Sequence, residues 1–166
     1  QHALGTASRF KNSQVTAIDL SLSSLAYAKR KTEELGVTNI NYLQADILDL
    51  EMLDKQFDII ESAGVLHHMA DPIAGWKVLT NCLKPGGLIK IGLYSEIARQ
   101  HIVRARDMIT KNKITSVKKD MLAFRQKITV LNDPELNLLT ESNGFYSTGE
   151  LRDLLFHVQE HRFTIL

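Results

Sequence analysis

From Val15 to Tyr94, short apolar or β-branched runs alternate with longer stretches of helical spacing, the pattern of a parallel sheet with crossover helices. "VTAIDL" (15–20) predicts a first strand. Ser21 stands where it would cap the following helix, whose Leu22, Leu25, Ala28 and Leu35 are spaced to turn one stripe inward. Gly36 would end that helix as a left-handed cap. "INYLQAD" (40–46) and "FDIIESA" (57–63) predict the second and third strands. Asp71 and Pro72 open another helix, aspartate suiting the cap and proline the first turn, with Ile73, Trp76, Leu79, Cys82 and Leu83 on its buried face. "LKPGGLIKIGLY" (83–94) stops it with a Pro-Gly-Gly turn and starts a fourth strand. The expected class is α/β, a doubly wound, mostly parallel sheet.

Beyond Tyr94 the pattern changes. Residues 95–128 are helix-prone and basic, with apolar positions such as Ile97, Ile102, Met108, Ile109, Val117, Met121, Leu122 and Phe124 too sparse to bury the stretch on all sides, so it should cover an edge or form a lid. Residues 132–151 read as a loop with a short helical piece, and 151–163 as an amphipathic helix. The expected organisation is a core over 1–94 and a helical lid or edge region of the same domain over 95–166.

A chain of 166 residues fits one domain with a real core. Twenty Lys and Arg against nineteen Asp and Glu give a formal charge of +1, so no bulk field draws it to nucleic acid or an anionic membrane. One cysteine, Cys82, allows neither an internal disulfide nor a multi-cysteine metal cluster. No apolar run reaches membrane-spanning length and no signal core opens the chain, which together suit a cytoplasmic protein.

Candidate chemistry lies at the strand ends, where open parallel sheets bind ligands. Asp19 closes the first strand, Asp46 follows the second and Ser62 sits near the end of the third. A carboxylate at the first tip suits a ribose diol; taken alone, Asp19 equally suits a cap for the next helix. Asp46, one helix and one strand later, would share the same rim and could accept from an adenine amine, with Leu20 and Ile47 against the ring faces; its other reading is a cap for the segment after Ile47.

Four stretches in series, "VTAIDLS" (15–21), "LQADILDL" (43–50), "FDIIESAGVLHHM" (57–69) and "LKPGGLIKIGLY" (83–94), resemble the class I S-adenosylmethionine-dependent methyltransferases, particularly the small-molecule type related to quinone biosynthesis. The resemblance implies Asp19 on the ribose hydroxyls, Leu20 and Ile47 on the adenine faces, Asp46 on the adenine amine, and Ser62 and Ala63 approaching the methionine portion through their backbone. It implies S-adenosylmethionine as cofactor and a small-molecule methyl acceptor, with nothing carried beyond Tyr94. The family's first strand and its G-x-G-x-G loop have no counterpart: "QHALGTASRF" resembles the segment after that loop, and Gly5 falls inside a probable helix. In the family that strand lies between "VTAIDL" and "FDIIESA". Its lack leads to three expectations: a piece of a longer methyltransferase, a strand supplied by another chain, or direct pairing of the two halves. The end at "HRFTIL" similarly falls before the family's closing strands.

Methyl transfer asks mostly for proximity and orientation, with a base only where the acceptor arrives protonated. His67 is the candidate to line the acceptor pocket and take that proton, and His68 to pack and steady the turn. His157 and His161 have i, i+4 spacing, but "HVQEH" lacks the zinc-protease glutamate, so packing or surface histidines are expected and no metal site. The basic stretch reads as a solvated face, not an RNA surface, and Trp76 as core. Two other functions stay open: a non-catalytic interaction module of the same fold and, against the lack of a Tyr-x-x-x-Lys motif, a nicotinamide-dependent oxidoreductase.

Overall fold

The computed structural model describes residues 2–164. These residues group into two compact units, the first drawn from 2–60 and 73–89, the second from 61–72 and 90–164. Ile165 and Leu166, on which the reading of the carboxyl end partly rests, lie outside the described residues.

In the first unit, helix α1 (His2–Arg9) leads into strand β1 (Val15–Asp19). The amide nitrogen of Asn39 fixes that entry, lying 3.0–3.1 Å from the carbonyl oxygens of Ala7, Phe10 and Ser13. Helix α2 (Leu22–Glu34) starts as expected, the Ser21 hydroxyl accepting from the Ser24 N–H, and is followed by Gly36 at φ +65°, a conformation glycine adopts without a Cβ penalty. Strand β2 (Ile40–Gln44) runs parallel to β1 from Val15↔Ile40 to Asp19↔Gln44, so both strands end at one level. Asp46 opens a 3-10 turn over Ile47–Leu53, and α3 (Pro72–Asn81) begins at the proline.

Strands β3 (Phe57–Ala63) and β4 (Leu83–Gly92) form a separate two-stranded ladder. Gly87 backs onto Asp58 and Gly92 onto Ala63, partners advancing together along both strands, as in a parallel pair. The approach is close: a Cβ at Gly87 would stand 3.1 Å from the Asp58 carbonyl oxygen, and one at Gly92 3.0 Å from the Ala63 Cβ. Among the described residues β1 and β3 do not pair, so direct pairing of the two halves is not what the fold adopts. β4 includes the Pro-Gly-Gly residues that were expected to precede it.

The buried stripe of α2 is narrower than its periodicity suggests. Leu25 and Thr32 are buried, while Leu22 and Leu35 are exposed. On α3, Leu79 is buried, as is Cys82 just past its end, but Ile73 is exposed and Trp76 stands at the boundary of exposure, so Trp76 is not core. Periodicity marks which positions share a face; burial also needs a neighbouring element to cover it.

The second unit has its own hydrophobic core. The basic stretch is two helices, α4 (Gln100–Lys111) and α5 (Lys118–Leu131), separated at Asn112 and Lys113, the latter at φ +52°. Helix α6 (Pro134–Thr140), the short helical piece expected within 132–151, a 3-10 turn at Asn143–Phe145 and α7 (Thr148–Phe156) follow, the last beginning three residues ahead of the expected helix at 151. Ile102, Ala105, Ile109, Met121, Phe124, Ile128, Leu136, Leu139, Phe145, Leu151 and Leu155 pack together. The helical reading of 151–163 fails after Phe156. The chain there becomes extended, and β6 (Arg162–Phe163) pairs in parallel with β5 (Tyr94–Ser95).

Candidate functional site

In the first unit, the β1–β2 register brings Asp19–Leu20 beside Gln44, two residues before Asp46 and Ile47. The Gln44 side-chain amide donates to the Leu20 carbonyl at 3.0 Å and ties the two strand ends together. Asp19 is exposed, and its Oδ1 accepts from the Ser21 N–H at 2.8 Å. Asp46 is half-buried and caps the 3-10 turn, its Oδ1 accepting from the Leu48 N–H at 2.9 Å. Asp46 therefore does the capping work that was its alternative reading, whereas Asp19 holds a local turn ahead of α2, whose cap is Ser21. That work uses one oxygen of each. Oδ2 of either side chain has no protein partner among the described residues, so each tip keeps an acceptor held in a fixed orientation by its own backbone. Leu20 is 66 % exposed, an apolar face left open beside Asp19, and Ile47 is half-buried beside Asp46.

In the second unit, the end of β3 carries Ser62, buried, with a hydroxyl lacking any hydrogen-bond partner among the described residues. Ala63 is exposed, and Gly64 follows at φ +78° with open space where a Cβ would stand. Buried hydroxyls are normally satisfied.

His67, in a short 3-10 turn over Leu66–His68, is fully buried, and among the described residues neither ring nitrogen makes a well-formed hydrogen bond, although the Gly92 backbone lies close enough to favour the protonated ring. Its ring stacks on Tyr94 with centroids 3.6 Å apart and meets the His68 ring edge-on at 4.2 Å. Burial, then the charge on His68 when protonated, pushes the imidazole down to about 4, outweighing the raising influences of the Gly92 backbone and Glu160. It is a neutral base at physiological pH. His68 does the steadying work: its Nδ1 lies 2.8 Å from the Gln159 carbonyl and its ring stacks on His157 at 3.9 Å. His157 and His161 do not share a helix face, because α7 ends at Phe156 and the residues between them are extended.

Sequence spacing did not reveal the group that surrounds this turn. Glu160, with its side chain 1 % exposed, receives Arg99 at 2.8 Å, Arg106 at 3.3 Å and Arg162 at 3.6 Å. Burial alone would raise its carboxyl. The Arg99 hydrogen bonds, followed by the charges of all three arginines, more than reverse this and hold it below the ordinary range. The partners sit some sixty positions apart for Arg99 and over fifty for Arg106, beyond any local motif. Two open clefts of about 310 Å³ lie elsewhere, one against Lys113 and Phe124, the other against Thr32 and Tyr42, and neither touches these residues.

A family profile described as "Methyltransferase domain" matches residues 2–91. An uncharacterized protein of Synechococcus sp. is 37 % identical over 99 residues, 59 % of this chain and 24 % of that one. The ubiquinone/menaquinone biosynthesis C-methyltransferase of Shewanella woodyi is 34 % identical over 84 residues, covering 50 % of this chain and 34 % of its own. Among solved structures, PKMT2 from Rickettsia typhi in complex with AdoHcy superposes over 97 % of this chain and 34 % of its own, with a TM-score of 0.72 at 18 % identity, a likeness of fold. The chain thus spans between a quarter and a third of the length of these relatives.

Proposed function

The chain belongs to the methyltransferase domain family, and on that premise we propose that it takes part in S-adenosylmethionine-dependent methyl transfer to a small-molecule acceptor. The observation that carries the reading is the pair of strand-end aspartates on one rim, each oriented by its own backbone and each keeping a free carboxylate oxygen. Such a pair fits a nucleoside, Asp19 accepting from the ribose diol and Asp46 from the adenine amine, with Leu20 and Ile47 against the ring. Ser62 and Ala63 are assigned to the methionine portion through their backbone.

S-adenosylmethionine, when bound, supplies a methyl group activated by its sulfonium. What this chain's residues contribute is binding and orientation. His67 is assigned to the acceptor pocket: a neutral imidazole can take a proton from an acceptor hydroxyl or hold it in line through a hydrogen bond. Among the described residues no helix is long and apolar enough to cross a membrane, and no group of three or more histidine, cysteine, aspartate or glutamate side chains is placed to hold a metal.

Calorimetric titration of S-adenosylmethionine, carried out on the longest natural form of the protein, tests the reading. Asp19→Ala is expected to weaken binding about 10- to 100-fold, the range set by losing charged hydrogen bonds of ~1.5–3 kcal/mol, and Asp46→Ala by about 10-fold. Unchanged affinity in both variants would exclude the assignment. Binding of NAD in preference to the methyl donor would point to the oxidoreductase reading instead.

A further inference from the structure

His67 presents a problem of orientation. A functional histidine is usually aligned through a hydrogen bond on the ring nitrogen it does not use, yet among the described residues neither nitrogen here makes a well-formed one, the Gly92 backbone being only near enough to favour the protonated ring. What aligns the ring must be its faces and edge. One face lies on Tyr94, centroid to centroid 3.6 Å at 26°. The Arg99 guanidinium carbon stands 3.5 Å from the Tyr94 centroid. Two groups at those distances cannot share a face, so Tyr94 is clasped between His67 and Arg99. The Arg99 plane is fixed in turn by Glu160, which accepts from Nε at 3.2 Å and from Nη2 at 2.8 Å, a two-point grip that sets angle as well as distance.

We infer that Glu160 is a positioning residue for His67, acting through Arg99 and Tyr94 as a stacked column that fixes the plane of the imidazole. The inference rests on the assignment of His67 to the acceptor pocket and adds to it the group that holds the imidazole in place.

The surroundings of Glu160 agree with that role. Arg106 and Arg162 also converge on it, and Arg106 donates to the His157 carbonyl while Arg162 donates to Glu96. The extended segment bearing Glu160 is anchored to the turn it serves: the His161 N–H donates to the His67 carbonyl at 2.7 Å, and the Gln159 carbonyl lies 2.8 Å from His68 Nδ1. A buried carboxylate is expensive to maintain, and here it holds one arginine flat against an aromatic ring. The titratable and charged groups facing the column are His68 on the turn, Tyr94 on β5, Arg99 ahead of α4, Arg106 on α4, His157, Glu160 and His161 after α7, and Arg162 on β6.

The test is an NMR titration of the His67 ring, which needs neither cofactor nor acceptor. In the native chain its midpoint should lie near 4. Glu160→Gln should release the column, admit water to the ring and raise that midpoint by about one unit or more toward the ordinary value near 6.5. Loss of the Glu160 charge alone, without loss of position, would lower it, because the carboxylate favours the protonated ring. The direction of the shift therefore separates positioning from simple electrostatics. Arg99→Lys keeps the charge but not the planar fork and should raise the midpoint too, giving a second reading should Glu160→Gln fold poorly. Tyr94→Phe keeps the stack and should leave it in place. In a Tyr94→Leu background, Glu160→Gln should add nothing. A fall or no change in Glu160→Gln and Arg99→Lys, or an equal shift with and without Tyr94, would overturn the inference while leaving the cofactor reading to its own titration.

Discussion

Replacing Phe145 with alanine should cost about 3–5 kcal/mol of unfolding free energy in the second unit. The side chain is fully buried in the cluster formed by α4, α5, α6 and α7, on the 3-10 turn that joins the last two of these. Its ring meets the Tyr146 ring edge-on at 5.4 Å. The turn has little freedom to close over a cavity, because Gly144 already sits so near Glu150 that a Cβ there would fall 2.9 Å from the carboxylate. A single-domain stability is ~5–15 kcal/mol, so the loss is a large share of the total. Urea unfolding monitored by circular dichroism checks this. A loss below about 1 kcal/mol would mean that the cluster does not carry the unit. By contrast, Trp76→Ala on α3 removes a side chain already 36 % exposed and should cost far less.

The second large effect is a pH dependence of stability set by His67. In the unfolded chain its imidazole titrates near 6.5, in the folded protein at about 4. The folded state therefore favours the neutral ring. Above pH 6.5 neither state binds the proton and the contribution is complete. As pH falls from 6.5 toward 4, the unfolded state takes up a proton the folded state refuses, and stability drops by up to about 1.4 kcal/mol per unit. Below 4 both states are protonated and no further loss comes from this residue. The full span amounts to ~3 kcal/mol. His101, also lowered chiefly by burial, acts in the same direction, so the informative quantity is the difference between native protein and His67→Phe. Unfolding free energies measured at intervals from pH 7 to 4 should converge as the pH falls. Parallel curves for the two proteins would show that the ring is not buried neutral.

Much of the first unit is legible in the sequence because its signals are local. The short run FDIIESA at 57–63 gives β3 to the residue, Ser21 and Gly36 bracket α2, and Pro72 begins α3. Leu22, Leu35 and Ile73 were misjudged as buried because periodicity reports a face and not what lies against it. The break between α4 and α5 left a trace in "KNKITS", where Asn112 caps the first helix and Thr115 donates to Asp120, but the surrounding helix-prone residues masked it. The strand-end aspartates stood out because an acid closing an apolar run is a local anomaly. Glu160 did not. Its meaning comes from three arginines that only the fold brings together, and from Tyr94 and His67 beyond them. Likewise β6, two residues long, carries no pattern of its own and exists only through its partner β5.

The central claim is that the ends of β1 and β2 hold the nucleoside of a methyl donor. Chemical-shift mapping of the amide signals during titration with S-adenosylhomocysteine tests it most directly. The account predicts saturable shifts at Asp19–Leu20 and Asp46–Ile47, absent when NAD is added at the same concentration. Shifts confined to other residues, or the same pattern with NAD, would contradict it.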